Sequence, residues 1–398
     1  AKHYKIPYYG QMNKKELALA IIRAQEEATG FFQVEGVLDI NRAEVFGFLR
    51  PINYSSSQED IYISSSQIRR FDLRNGDLVS GTARPPRQGE KFNGLMQVGF
   101  VNGKDPEEAK ERDHFPGLTP LYPEKQMILE TTRGRIASRM LDLICPIGFG
   151  QRGLIVAPPK AGKTSLLKEI ANGITTNHPD AELIILLIDE RPEEVTDIER
   201  TVNAEVVYST FDQLPENHIK ISELVLERAL RLVEDGRDVI ILMDSLTRLA
   251  RAYNLTIPPS GRTLSGGIDP AAFYRPKKFF GSARNIEEGG SLTILATALV
   301  ETGSRMDDVI YEEFKGTGNS EIHLSRELAE RRVFPAIDVK RSGTRKEEML
   351  LSKEIIDVIW KVRHSIKGDG LETSEQLVKQ LKETKSNDDF IRRLNLLG

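Results

Sequence analysis

Apolar residues recur along this chain with two spacings, and the change of spacing divides it. Residues 13–28 place Leu17, Ala20, Ile21 and Ala24 on one face at helical intervals. Asn13 as cap with Glu16 three residues on marks the start, and Gly30 the end, so a small helical subdomain over residues 1–30 is predicted. Over residues 31–103, short β-type runs at 34–40, 43–49, 60–63, 77–82 and 97–101 alternate with turn signals at Asn75-Gly76, Gly89, Asn93-Gly94 and Asn102-Gly103. Five short strands in that span predict a small closed barrel of the oligonucleotide-binding (OB) type. Ser55-Ser56-Ser57 and Ser64-Ser65-Ser66 read as loop. Residues 104–124 carry Pro106, Pro116, Pro120 and Pro123 and read as an extended, semi-rigid linker. From 125 to 398, apolar strands at 153–157, 182–189, 205–209, 238–244 and 291–298 alternate with amphipathic helices at 164–173, 222–235 and 347–360. That alternation predicts a mostly parallel sheet covered by helices on both faces. The C-terminal stretch reads as helices at 374–385 and 388–396, assigned to packing or subunit contact.

Composition narrows the function classes. With 398 residues the chain needs no disulfide or metal staple, and its single cysteine, Cys145, excludes a disulfide framework and a multi-thiolate zinc site. No apolar run approaches the roughly 18 residues of a membrane span, and the N-terminus shows no signal region, so a cytoplasmic protein without a membrane partner is expected. The chain begins at Ala1 rather than Met and is expected to be trimmed. Net charge is −4, so any nucleic-acid reading must rest on local residues.

The strongest chemical signal is Ala157-Pro158-Pro159-Lys160-Ala161-Gly162-Lys163-Thr164, which follows the apolar run Leu154-Ile155-Val156 and opens a helix. That context is what a phosphate loop requires, because backbone N–H groups at a helix start present positive charge to phosphates. Ala157 replaces the first glycine of the general pattern. Lys163 would reach the β- and γ-phosphates of a nucleotide and the Thr164 hydroxyl would ligate Mg²⁺. Asp244 ends one buried strand, where a carboxylate holds the metal through water; Glu190 follows another and would polarise an attacking water. The segment Arg341-Ser342-Gly343-Thr344-Arg345-Lys346 is a polar loop of the kind that could supply an arginine finger from a neighbouring subunit.

In the barrel, Phe46 and Phe48 alternate on one strand face beside Arg50, and Tyr62 adds an aromatic on the next strand. Such rings either stack on the bases of a single strand or fill the barrel core. The Gly- and Pro-rich stretch 258–267 and the loop Thr302-Gly303-Ser304-Arg305 are long or basic enough to line a channel for a charged strand.

Together these motifs resemble the family of bacterial Rho transcription termination factors over nearly the whole chain. The matching stretches are 45–50, 60–62, 66–71, 84–86, 146–164, 187–195, 238–253, 275–281, 311–319, 332–338 and 341–347. The resemblance implies a multidomain α/β protein: a helical N-terminal subdomain and a cold-shock-like OB barrel, a linker over 104–124, then a RecA-like P-loop ATPase domain over 125–398. It implies a homohexameric, RNA-dependent ATPase and 5′-to-3′ helicase that binds pyrimidine-rich, especially cytosine-rich, single-stranded RNA and releases transcripts from the RNA polymerase elongation complex, with ATP and Mg²⁺ as cofactors. The implied primary RNA site is Phe46, Gly47, Phe48, Leu49, Arg50, Asp60, Ile61, Tyr62, Glu90, Lys91 and Phe92. Many members have Tyr at the place of Phe92, and losing that hydroxyl is expected to relax base preference. The implied nucleotide site is Gly148, Phe149, Gly150, Gln151, Arg152, Gly153, Lys160, Ala161, Gly162, Lys163, Thr164 and Ser165, with Arg191 near the phosphates and Phe334 on the adenine. Glu190 matches the catalytic base, Asp244 the metal-binding acid and Arg345 the finger from the next subunit. The implied channel loops are Ser260 to Gly267, including Arg262, Thr263, Leu264, Ser265, Gly266 and Gly267, and Thr302, Gly303, Ser304 and Arg305. Arg262 and Arg305 stand where many relatives have Lys. Two rivals remain at this point: a rotary ATP synthase subunit, which shares the core and a small barrel, and a passive RNA-binding ring.

Overall fold

The computed structural model describes residues 30–41, 46–364 and 370–397. The helix predicted at 13–28, and residues 43–45 of the second predicted strand, lie outside them. The chain divides into two compact units: residues up to Phe115 with Leu224–Leu232, and Pro116–Glu223 with Val233–Gly398.

The first unit holds strands β1 (Phe32–Asn41), β2 (Phe46–Arg50), β3 (Ile61–Ile63), β4 (Leu78–Arg84) and β5 (Asn93–Val101). They close into a barrel in the order β1-β2-β3-β5-β4. All pairings are antiparallel except β3 with β5. Alternation along each strand sends Leu38, Leu49, Ile61, Ile63, Val79 and Ala83 into one apolar core. Two expectations change here. Asn93-Gly94 does not turn; it opens β5 and pairs with Ile61 and Tyr62. Ser64 does not sit in open loop but caps helix Ser65–Arg70 through a reciprocal capping box with Gln67. The proline-bearing stretch is more built than an extended connector. It forms 3-10 turns at Glu108–Glu111 and Phe115–Gly117 and a short strand β6 (Pro120–Leu121), and Ala109 packs into the barrel core.

The second unit is built on β7 (Arg152–Ala157), β8 (Glu182–Glu190), β9 (Glu205–Thr210), β10 (Asp238–Asp244), β11 (Arg284–Ile286), β12 (Ser291–Leu299), β13 (Ser320–His323) and β14 (Gly343–Thr344). The main order is β14-β13-β7-β12-β10-β8-β9. The pairings from β13 through to β9 are all parallel, so their carboxyl ends share one edge of the sheet, where such sheets bind ligands. Strands β7, β10 and β12 are buried almost throughout, as a sheet covered on both faces requires. The predicted helices run Lys163–Asn177, Pro215–Glu234 and Lys353–His364.

The C-terminal helices Leu371–Glu383 and Asn387–Leu397 bury Leu377, Val378, Leu381, Phe390 and Ile391 in the core of this unit and are tied to it by one buried cation. Arg139, fully buried, donates to the carbonyl of Leu381 at 2.7 Å, to the Thr384 hydroxyl at 2.7 Å and to Asn387 Oδ1 at 3.2 Å, and pairs with Glu130 at 3.3 Å. Arg139→Ala leaves Asn387 Oδ1 and the Thr384 hydroxyl oxygen buried without their donor, while Leu381 and Glu130 keep bonds from Thr384 and Asn387, and is expected to cost about 1–3 kcal/mol of local stability. Limited proteolysis should then cut between Glu383 and Asn387 well before the rest of the chain; wild-type resistance there would refute this anchoring role.

Candidate active site and nucleic-acid interface

The phosphate loop lies at the carboxyl end of β7. Lys160 and Gly162 both take positive φ, 64° and 91°, and Lys163 starts the helix. The chain therefore curls around a point faced by the first N–H groups of that helix, which favours an anion. Thr164 is half-buried and Ser165 exposed on its first turn. The ring of Phe334 lies 3.8 Å from where a Cβ on Gly162 would stand, which puts an aromatic face beside the loop.

Two carboxylates converge on Lys163. Its Nζ is 2.6 Å from Asp244 Oδ1 and 3.0 Å from Glu190 Oε1, and both acids are nearly fully buried. Burial raises the Glu190 pKa, and the charge of Asp244 raises it further. Burial alone would lower the Lys163 pKa, but the two carboxylates outweigh it and hold the ammonium above its ordinary range. Thr297 on β12 donates its hydroxyl to Asp244 Oδ1 at 2.7 Å and fixes that carboxylate. Glu190 owes its direction to a local irregularity that sequence reading did not find. The register of β8 against β9 slips between Ile188 and Glu190, and Asp189 takes φ 58°. Such a bulge re-aims the following side chain, and here it turns Glu190 inward. Arg248, also missed, lies 3.5 Å from Asp189 and 3.8 Å from Glu190; its place in the first turn after Asp244 was the available signal. Arg191 is exposed and lines, with Asp189, Arg248, Arg251, Thr302 and Asp307, a cavity of about 380 Å³.

The structure does not bring Gly148, Phe149, Gly150, Gln151, Arg152 and Gly153 to the phosphate loop. They lie at the amino end of β7, so the strand's own length, roughly 20 Å at about 3.3 Å per residue, separates them from it. Their neighbours there are Asn319, Arg345 and Lys346, which line with Gln151 and Arg152 a cavity of about 350 Å³. Arg345 is exposed on that rim. Within one chain it lies at the opposite end of β7 from Lys163.

The two candidate channel loops meet. Gly266 has φ 80°, and a Cβ there would lie 2.6 Å from the Met306 nitrogen, so only glycine allows the first loop to rest on the start of helix Arg305–Lys315. Ser260 is tied to Asp269 by its N–H at 2.6 Å and its hydroxyl at 2.8 Å. Arg262, Thr263, Leu264, Ser265 and Gly267 are all exposed. In the second loop the Thr302 hydroxyl donates to Asp307 at 2.7 Å, and Arg251 bonds both Asp307 and Ser304. Gly303 and Arg305 remain exposed.

On the barrel, alternation decides between stacking and core. Gly47 is buried in β2 and Leu49 and Ile61 point into the barrel core, while Phe46, Phe48 and Tyr62 point outward. Phe48 stands opposite Tyr62 in the ladder. Ring centroids are 5.7 Å apart for Phe46–Phe48, 5.6 Å for Phe46–Tyr62 and 4.9 Å for Phe48–Phe92. Lys91 Nζ lies 5.2 Å from the Phe92 centroid. Arg50 and Asp60 are buried and paired with each other, and Arg50 also bonds Asp39 at 2.6 Å. Arg50 lies 5.1 Å from the Phe48 ring and so braces the aromatic face. Glu90 accepts two hydrogen bonds from Arg84, at 2.6 and 2.9 Å, and one from the Arg87 N–H at 2.9 Å. These bonds hold its carboxyl at about 2, well below the usual range.

Among the described residues no helix is long and apolar enough to cross a membrane. Residues 34–107 match the family model described as Rho termination factor, RNA-binding domain, and residues 137–344 the model of the ATP synthase alpha/beta family, nucleotide-binding domain. The chain is 69% identical over 395 residues to the transcription termination factor Rho of Bacillus subtilis, covering 99% of this chain and 92% of that one. It is 55% identical over 398 residues to that of Thermotoga maritima, covering 99% and 93%, and 53% identical over 390 residues to that of Escherichia coli K12, covering 96% and 93%. Among solved structures, an ATPase of a bacterial type III secretion system aligns at TM-score 0.58 and 23% identity over 70% of this chain and 87% of that one, a likeness of fold alone.

Proposed function

The chain belongs to the Rho family of transcription termination factors, and on that premise we propose that it terminates transcription as an RNA-binding, ATP-hydrolysing motor. In this reading it forms a ring of six copies, pulls pyrimidine-rich RNA through the ring, unwinds RNA–DNA hybrids and releases the transcript from RNA polymerase. The observation that carries the reading is the junction of Lys163, Glu190 and Asp244 at the phosphate loop, in a chain whose barrel also turns clustered aromatics outward.

The steps follow from this chain's residues. ATP binds with its phosphates on the loop around Lys163 and its base beside Phe334. Mg²⁺ suits the donor set, since Thr164 and Asp244 offer oxygen ligands and octahedral Mg²⁺ takes few protein ligands beside substrate phosphates. Thr164 and Asp244 would hold it, and when bound it neutralises phosphate charge. Glu190 orients water toward the γ-phosphorus and accepts its proton; the new P–O bond replaces the bond to the bridging oxygen, which leaves on ADP. Arg345 reaches in from the neighbouring copy, and Arg191 stands near the phosphates of its own site. Movement is passed to RNA by the loops Ser260 to Gly267 and Thr302 to Arg305. The barrel captures RNA first by stacking bases on Phe46, Phe48, Tyr62 and Phe92, and tethering raises the RNA concentration at the ring. The outward-facing aromatics weigh against a rotary ATP synthase role.

The test is steady-state ATP hydrolysis with no polymer, poly(C) RNA, poly(U) RNA and single-stranded DNA at one fixed salt concentration. Strong stimulation by poly(C) with little from DNA is expected; a rate indifferent to every polymer would overturn the motor. Phe48→Ala should raise the poly(C) needed for half-maximal stimulation by about 5- to 150-fold, the equivalent of about 1–3 kcal/mol of lost stacking.

A further inference from the structure

The edge of the sheet that carries Arg345 is fixed by an amide pair, the buried Gln151 and the half-buried Asn319, to which the mechanism above gives no part. Strand β14 is only Gly343–Thr344, paired with Ser320 and Glu321 of β13. So short an edge strand fixes little by itself. Arg345 then leaves the sheet with its N–H donated to the carbonyl of Asn319 at 2.9 Å. That asparagine is itself held. Gln151 Nε2 donates to Asn319 Oδ1 at 2.6 Å, and the Arg152 N–H donates to the same oxygen at 2.9 Å. Gln151 Oε1 in turn accepts the Gly148 N–H at 3.1 Å. Gln151 is 1% exposed.

Burying a side-chain amide costs free energy unless its groups are bonded, and both ends of the Gln151 amide are. An apolar side chain of the same size would fill the space without fixing the Asn319 peptide. What the amides add is orientation of the carbonyl from which Arg345 hangs. From these contacts we infer that Gln151 and Asn319 are positioning residues for Arg345, setting the backbone from which its guanidinium reaches the neighbouring copy's nucleotide. This rests on the reading of Arg345 given above. It also gives residues 148–153 a role suited to their place at the amino end of β7. A finger displaced by about 1 Å loses on the order of 10²-fold in rate.

The experiment measures kcat and KM for ATP on the assembled, poly(C)-stimulated protein. Gln151→Met removes all three side-chain hydrogen bonds at similar size, including the long one from Nε2 to the Asn319 carbonyl at 3.4 Å; Gln151→Glu keeps the acceptor for Gly148 but loses the donor to Asn319. Both should lower kcat about 10- to 100-fold with KM for ATP held within about twofold, the pattern of a lost transition-state contact. Combining Gln151→Met with Arg345→Ala should lower kcat no further than Arg345→Ala alone, because the two act as one unit. Where Gln151→Met does not assemble, Asn319→Ser removes the shared acceptor and reads the same coupling. Wild-type kcat in the Gln151 variants, or a double variant that loses the product of both single effects, overturns the positioning role while leaving Arg345 intact. Wild-type kcat in Arg345→Ala overturns the finger and this inference with it.

Discussion

Arg345→Ala is expected to slow RNA-stimulated ATP hydrolysis by about 10³-fold or more while ATP still binds, because an arginine aimed at the transferring phosphoryl group, the role proposed for Arg345, is worth about 10³–10⁵ in rate. The geometry makes the prediction sharper than a simple loss. Arg345 is exposed at the amino end of the sheet, and the phosphate loop closes the carboxyl end of β7. No rotation of one side chain spans that distance, so the proposed finger must act on another copy. Lys163→Ala should be equally inactive for the opposite reason, having lost the group that meets the phosphates. Mixed subunits distinguish the two defects. Wherever an Arg345→Ala copy, with its loop intact, sits against a Lys163→Ala copy, with its arginine intact, one working site is restored. Recovery of hydrolysis on mixing two inactive proteins is therefore expected, and its absence under conditions of subunit exchange would sink the assignment to the neighbouring copy.

The sequence made the phosphate loop legible because its chemistry is local. A strand, a turn and a helix start lie within a dozen residues, and Asp244 and Glu190 each end an apolar run. The barrel was legible for a similar reason, since period-two alternation put Phe46 and Phe48 on one strand face, although which face points inward and the place of Leu49 in the core came only from the closed barrel. The misses are non-local. The bulge at Asp189 comes from the register of β8 on β9, which no single strand encodes. Asn93-Gly94 has the composition of a turn, but pairing with β3 draws it into β5. Residues 148–153 precede the phosphate loop closely in sequence, yet a buried strand between them carries the two to opposite edges. Ser64 had its capping partner Gln67 in view three residues on, so that error was avoidable.

Glu190→Gln should lower the RNA-stimulated kcat by about 10²- to 10⁴-fold, the usual contribution of a positioned general base. The amide keeps the size of the side chain and can still accept a hydrogen bond from Lys163, so ATP affinity should change little and the loss should fall on kcat. A second readout separates a base from a merely structural acid. Burial, followed by the charge of Asp244, holds the Glu190 carboxyl above its usual range. A base works only when deprotonated, so the wild-type rate should fall as pH drops through that raised value and level off above it. The residual rate of Glu190→Gln should show no such acidic limb. Glu190→Asp, which keeps the charge but withdraws it by one methylene, should retain the limb with a reduced plateau. If Glu190→Gln loses stability or ATP binding in proportion to rate and keeps the wild-type pH profile, the carboxylate serves to hold Lys163 and the base must be sought elsewhere.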